Sequence, residues 1–259
     1  MKWSIIPRSF AAIQDLKIVS AACTARDALT DSLFPRRCPV CGEIVSPPGW
    51  QVCRDCFPKL LFVEPPVCMK CGKSVEDGAE AFCHDCAAGE KSFEYGVALL
   101  NYDDVMRRAV GRIKYNNRRE YIKPFAKMFW MRWGKTILEM EADCLVPVPL
   151  HPTRYRKRGF NQAELLAREL GALSGIPVRT DILFRGKKTE AQKDLTPDQR
   201  IRNLQKAFRA DPEKADVSSV ILVDDIYTTG STAEACTRAL KEAGVGKVYT
   251  ACLCIVPEF

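Results

Sequence analysis

Two adjacent acids, Asp224 and Asp225, close the short apolar run Val220-Ile-Leu-Val223 and precede Thr228-Thr229-Gly230-Ser231-Thr232. A run so apolar and so rich in β-branched residues suits a strand buried on both faces of a parallel sheet. Ala233, Cys236, Ala239, Leu240 and Ala243 then recur at helical spacing, Gly244 supplies a stop, and Val248 to Val256 reads as another strand, so a βαβ unit is expected. At the carboxyl end of a central strand, carboxylates accept hydrogen bonds from vicinal hydroxyls or hold a divalent metal. The loop after them offers hydroxyl donors, a glycine for close backbone approach and free amides at a helix start, which together suit one phosphate. A diol on one side and a monophosphate on the other describe a ribose 5-phosphate. A nucleotide P-loop needs Gly-x4-Gly-Lys-Ser/Thr and a dinucleotide fold needs Gly-x-Gly-x2-Gly; the segment has neither. The plainer alternative is a strand-to-helix turn capped by Thr or Ser.

A second chemistry lies upstream. Cys-x2-Cys pairs begin at Cys38, Cys53, Cys68 and Cys83, a recurrence of 15 residues, and alternate between a type ending in glycine (Gly42, Gly72) and a type with Asp third. The true repeat is therefore about 30 residues, one pair of each type. Two thiolates separated by two residues wrap one side of a tetrahedral zinc ion, and stable disulfides are disfavoured in a cytoplasmic chain. Two structural zinc sites are expected from Cys38, Cys41, Cys53, Cys56, Cys68, Cys71, Cys83 and Cys86. Equal gaps leave the pairing open between a sequential arrangement, which makes each repeat self-contained, and a cross-braced one; a redox dithiol series is the remaining alternative. The intervening segments are too short for a core, so residues 38 to 86 are expected to be unfolded without metal. His84 is expected to be exposed, and Cys23, Cys144, Cys236, Cys252 and Cys254 to be small core residues.

These groups need a scaffold. The chain has 259 residues, 47% hydrophobic and 27% charged, which fits one large domain or a large one plus a small one and excludes a fibre or a disordered tail. Apolar runs stay short of a membrane span, and Arg8, Asp15 and Lys17 interrupt what could otherwise be a secretory signal. The reading is cytoplasmic, with the periphery of the inner membrane as a further expectation. Net charge is +7, but residues 107 to 135 hold ten Lys or Arg against Glu120 alone, a concentration that draws phosphates or forms a solvated helix face. Tyr115, Tyr121, Phe125 and Trp130 are interleaved there and could stack bases or fill a helix core. Leu145-Val-Pro-Val-Pro149 reads as a strand, followed by a loop with four cations from Arg154 to Arg158 and a helix capped by Asn161. Arg154, Arg156 and Arg158 could reach a pyrophosphate, or merely be exposed. Residues 185 to 199 read as a polar lid, and Thr196-Pro197 as the start of a helix through Asn203.

Val220 to Thr232 resembles the phosphoribosyl pyrophosphate loop of type I phosphoribosyltransferases, with no departure in the acidic pair or in Thr-Thr-Gly-Ser-Thr. The resemblance implies that Asp224 and Asp225 bind the ribose hydroxyls, that Thr228, Thr229, Gly230, Ser231 and Thr232 bind the 5-phosphate, and that Mg2+ accompanies the ligand. Catalysis, if retained, would fall to Asp224 and Asp225 near metal or hydroxyls, with Arg154, Arg156 and Arg158 on the leaving group. The whole chain is more closely similar to the ComF family, which joins a cysteine-rich zinc module to such a domain. Segments like Val146-Pro-Val-Pro-Leu-His151, Arg158-Gly-Phe-Asn-Gln162, Lys188-Thr-x2-Gln192, Arg200-x2-Asn203 and Tyr102 to Lys114 carry that similarity. The expected architecture is an N-terminal extension at 1–30, a double zinc-ribbon module at 31–90 and an α/β phosphoribosyltransferase-like parallel-sheet domain at 91–259. The function the resemblance implies is uptake of single-stranded DNA in natural transformation, with phosphoribosyl pyrophosphate bound. Partners would be that ligand, single-stranded DNA and proteins of the uptake machinery. The alternative is an active transferase on an unidentified small acceptor, without DNA binding.

Overall fold

A computed structural model describes residues 35–75, 81–89, 91–186 and 207–258. Residues 187–199 of the expected lid and the helix from Thr196, together with Lys188, Gln192, Arg200 and Asn203, lie outside the described residues, as does the N-terminal extension; the lid's first residue, Arg185, ends a strand. The strands are β1 (Gly96–Asn101), β2 (Cys144–Pro147), β3 (Leu183–Arg185), β4 (Phe208–Ala210), β5 (Ser219–Tyr227) and β6 (Lys247–Ile255). Four of them form a parallel sheet in the order β1-β6-β5-β2, while β3 and β4 make a separate antiparallel pair. The helices longer than about one turn are α1 (Asp104–Tyr115), α2 (Ile122–Glu139), α3 (Pro152–Arg158), α4 (Gln162–Ser174) and α5 (Ser231–Glu242). Among the described residues no helix is long and apolar enough to cross a membrane.

Alternation along the strands divides the core into two layers. Ile221 and Val223 of β5 and Ala251 and Leu253 of β6 share one face with Ile113, Phe125, Phe129 and Leu166 of α1, α2 and α4. Val220, Leu222 and Val248 share the other with Leu240 of α5 and the β3–β4 pair. Both faces are covered, which is why β5 and β6 read as continuous apolar runs. Cys144, Cys236, Cys252 and Cys254 are buried in these layers.

The two cysteine repeats, alike in sequence, pack on opposite faces. Cys38, Cys56 and Leu60 join the layer of α1 and α2, whereas Val63, Cys68, Cys71 and Phe93 join the layer of α5. The chain crosses between faces along the sheet edge: Asn101 N–H donates to Leu61 C=O (2.7 Å) and Leu99 C=O accepts from Val63 N–H (3.1 Å). That crossing pairs the free edge of β1, which would otherwise invite a foreign strand.

The basic window becomes α1, a short turn and α2, and the structure divides its charges. Arg112 donates to Val40 C=O of the first repeat, and Arg132 donates to Val63 C=O and pairs with Glu64 (3.5 Å). These two arginines brace the cysteine repeats. Tyr121 and Phe125 are core residues and Trp130 is half-buried, so of the four interleaved aromatics only Tyr115 is exposed. Periodicity explains this, because Tyr121, Phe125, Phe129 and Trp133 fall on one helical stripe facing the sheet.

Candidate functional site

β5 runs to Tyr227, past the point where the apolar run ends, so Asp224 and Asp225 are strand residues rather than the first residues of a loop. Val148 N–H donates to Val223 C=O (2.9 Å), which sets the segment after β2 beside the acids. The connection after β2 returns through α4 on one face and that after β5 through α5 on the other. A crevice must open between two such strand ends, and here it is a cavity of about 440 Å³. Its walls include Asp224, Asp225, Thr232, Arg154 and Arg158 from the sequence expectation, joined by Lys114, Tyr115, Lys157, Gln162 and Arg185.

The segment Arg158-Gly-Phe-Asn-Gln162 can be read atom by atom. Residues Pro152–Arg158, expected as a loop, form a helix because His151 Nδ1 accepts from Thr153 N–H (3.2 Å), Pro152 is its first residue and Gly159, at φ 77°, ends it. Helical spacing puts Arg154, Lys157 and Arg158 on the cavity side, and Arg156, expected on the leaving group, is not among the lining residues. Phe160 is buried beneath the Arg119 guanidinium, 4.5 Å from the ring centre. Asn161 caps α4 by accepting from Ala163 N–H (3.1 Å) and donates to Val148 C=O (2.9 Å), fixing α4 to the end of β2. Gln162 accepts from Arg158 and donates through Nε2 to Asp225 Oδ1 (3.0 Å).

The acids differ in state. Asp225 pairs with Lys114, whose side chain is 16% exposed. Burial works to raise the Asp225 carboxyl, but the Lys114 ammonium and the Gln162 amide outweigh it and hold the group below the usual range. Asp224 is pushed well above that range, first by burial and then by the charge on Asp225; its Oδ1 accepts from Asp225 N–H (2.8 Å). Five cations surround the pair: Lys114, Arg154, Lys157, Arg158 and Arg185. The surplus of positive charge suits a polyanion, and the acids suit its hydroxyls or a divalent metal.

Thr228 to Thr232 form the turn into α5. Thr232 lines the main cavity, Thr228 and Gly230 line a small recess adjoining it, and the Thr229 and Ser231 hydroxyls share a hydrogen bond of 2.8 Å. Gly230 has φ 78°, and a Cβ there would lie 2.1 Å from the Tyr227 hydroxyl oxygen and 2.6 Å from its ring carbon, on a ring that is buried. Gly230→Ala is therefore expected to lower stability by about 2 kcal/mol or more, through left-handed strain and displacement of a packed ring. Thermal melting measures this, and a melting temperature within a degree of the parent would contradict the packing.

The thiols gather as Cys38, Cys41, Cys53, Cys56 and as Cys68, Cys71, Cys83, Cys86, each set within 4.8 Å. That is the sequential grouping. Cys41 and Cys53 sulfurs lie 3.8 Å apart and Cys71 and Cys83 sulfurs 3.6 Å. The edge of a sulfur tetrahedron around zinc at about 2.3 Å is about 3.8 Å, so the donor set fits that metal. Hydrogen bonds from Cys71, Cys83 and Cys86 push the Cys68 thiol down, while the bond to Cys68 is first among the causes pushing Cys71 up. Thiols packed this closely suit a shared cation. His84 is exposed and outside both sets.

Comparison with known proteins agrees with both halves. Residues 29–87 match the double zinc ribbon domain and residues 156–258 the phosphoribosyl transferase domain. The chain is 30% identical over 188 residues to competence protein F of Haemophilus influenzae, covering 71% of this chain and 82% of that one. It is 30% identical over 204 residues to competence protein ComFC of Bacillus subtilis, covering 76% and 80%. To the DNA utilization protein YhgH of Salmonella typhimurium it is 28% identical over 224 residues, covering 85% and 97%. The segment between the two matched domains supplies β1, β2, α1 and α2, and with them Lys114 and the wall after β2.

Proposed function

Because the chain belongs to the family of competence protein F and ComFC, we propose that it binds phosphoribosyl pyrophosphate in the crevice at β2 and β5 and serves the handling of incoming single-stranded DNA. The observation that carries the first part is the cavity in which an ionised and a raised carboxyl meet five cations beside a hydroxyl-rich helix start. Asp224 and Asp225 take the ribose hydroxyls, the Thr228–Thr232 turn takes the 5-phosphate, and Arg154, Lys157, Arg158 and Arg185 face the pyrophosphate. Magnesium, held with the ligand, would neutralise pyrophosphate charge. Structural zinc fits the two cysteine tetrads.

DNA would run past the cavity mouth. Tyr115, 76% exposed, stands there with Arg158 over its ring (5.6 Å), and Arg118 and Arg119 are exposed nearby in sequence. An open ring among cations holds a base by stacking and its backbone by charge. Titration of fluorescent oligonucleotide against salt tests this. Binding is expected to weaken steeply with salt, and Arg118→Ala with Arg119→Ala to flatten the slope of log K against log salt by about 1 to 2. Salt-independent binding would remove the electrostatic model. Active phosphoribosyl transfer to a small acceptor is a second reading, favoured by the cations gathered where a leaving group would depart; pyrophosphate released from labelled ligand in the presence of a panel of bases reads it directly.

A further inference from the structure

Tyr227 connects two parts of the molecule whose roles have so far stood apart. Its ring stands edge-on to Phe93 (6.5 Å), in the same apolar layer as Cys68, Cys71 and Cys83. Its hydroxyl touches Gly230 at the start of α5 and, though buried, has no hydrogen-bond partner among the described residues. Lys70, between Cys68 and Cys71, lays its ammonium over the Phe93 ring (5.6 Å), which ties the same ring pair to the second tetrad. A second tie runs in parallel. Ser92 donates from its N–H (2.6 Å) and its hydroxyl (2.7 Å) to Glu234, in the first turn of α5. A third joins His84 N–H to the carboxylate of Glu258, just beyond β6. Gly72 fits so tightly over β1 that a Cβ would lie 2.6 Å from Gly96 C=O, so the second repeat has little freedom to slide. The first repeat is braced on α1 and α2 instead.

We infer that the second cysteine tetrad, acting through Phe93 and Tyr227, holds the Thr228–Thr232 turn in its ligand-ready form, so that metal at this tetrad and phosphosugar in the crevice support each other's binding. Tyr227 is thus a positioning residue, and the two repeats do different things: the first braces the helical layer, and the second supports the phosphate turn. The second half of the inference rests on the phosphoribosyl pyrophosphate reading, whereas the mechanical coupling does not. Reciprocity is required, since an energetic link between two binding events acts equally in both directions.

The test uses the full zinc-loaded chain, followed by amide hydrogen exchange and by calorimetry with magnesium and phosphoribosyl pyrophosphate. Tyr227→Leu, with every cysteine present, is expected to speed exchange across residues 226–236 about tenfold and to weaken the ligand by a similar factor. Cobalt substituted at the second tetrad, in a Cys41→Ser background that disables the first, is expected to change its thiolate absorption bands in the Tyr227→Leu chain. Where Tyr227→Leu fails to fold, Cys86→Ser is compared with Cys41→Ser: the first should loosen residues 226–236 and the second should leave them as in the parent. Equal effects of the two cysteine changes, or an unaltered turn in Tyr227→Leu, overturn the inference. A parent protein that ignores phosphoribosyl pyrophosphate while its turn still follows Cys86 would sink the ligand reading and uphold the coupling.

Discussion

Withdrawing zinc with a strong chelator is expected to unfold both cysteine repeats and to bring the protein out of solution. The repeats have few apolar residues of their own, and each is organised around four thiols. A structural zinc contributes on the order of 10 kcal/mol to such a module, as much as the net stability of a typical domain, so nothing else here can replace it. Loss would spread in a defined order. The crossing segment Leu61–Val63 depends on a repeat at each end, and its release uncovers β1 along Leu99–Asn101. An exposed, apolar edge strand pairs with other copies. Arg112 and Arg132 lose their carbonyl partners at the same time. Circular dichroism, zinc release and light scattering followed together after chelator addition read the order of events. Retained exchange protection across residues 38–75 after both metals have left would show that the repeats fold by packing alone.

The sheet and the acid-bearing strand were legible in the sequence because their signals are local. A β-branched run, an acidic pair and a hydroxyl-rich turn are neighbours in the chain, and β5, α5 and β6 lie where that pattern puts them. The cysteine spacing was legible for the same reason. Its equal intervals carried no information on grouping, which needed the distances between sulfurs. The rest of the site arrives from afar. Lys114 is one basic residue among many in sequence, and only the packing of α1 against the sheet brings its ammonium to Asp225. Arg185 ends a three-residue strand too short to stand out, yet lines the cavity. Arg156 shows the opposite failure: composition made it equal to its neighbours, and the cap at His151 with the stop at Gly159 turned the segment into a helix that faces it elsewhere.

The division of charge in the basic window follows from the same limit. A count of cations cannot separate those that brace a carbonyl from those that meet solvent. Arg112 and Arg132 are tied to the cysteine repeats and Lys114 to the acids, whereas Arg118 and Lys123 are exposed. The electrostatic footprint left for a polyanion is therefore smaller than the sequence charge, and it includes the exposed Arg118 and Arg119 that follow the cavity-lining Tyr115 in the chain. Surface pairs such as Arg107 with Asp104 (2.8 Å) compete weakly for those charges, since exposed ion pairs contribute about 1 kcal/mol or less.

Replacing the two acids one at a time is expected to give the same loss of ligand with opposite effects on the fold. Either Asp224→Asn or Asp225→Asn should weaken phosphoribosyl pyrophosphate at least about 100-fold, because a charge-assisted hydrogen bond to a hydroxyl or a metal contact is lost. Asp225→Asn also strands Lys114 in a largely buried setting, and breaking such a pair costs about 3 to 5 kcal/mol. Asp224→Asn removes a carboxyl that burial and the charge on Asp225 hold well above its ordinary range, so the free protein should become more stable at neutral pH. The signs with pH follow. For Asp224 the folded chain holds the proton more tightly than the unfolded one, so the parent loses stability as pH rises from about the ordinary value through the raised one, and Asp224→Asn removes that decline. For Asp225 the folded value is depressed, so its contribution is present above the ordinary value and lost as pH falls through the folded one; Asp225→Asn flattens the acid limb. Calorimetry with the magnesium-loaded ligand, beside melting curves from pH 3 to pH 8, separates the two effects. Undiminished affinity in Asp224→Asn would remove that carboxyl from the ligand, and equal destabilisation by both changes would contradict the different states assigned to the pair.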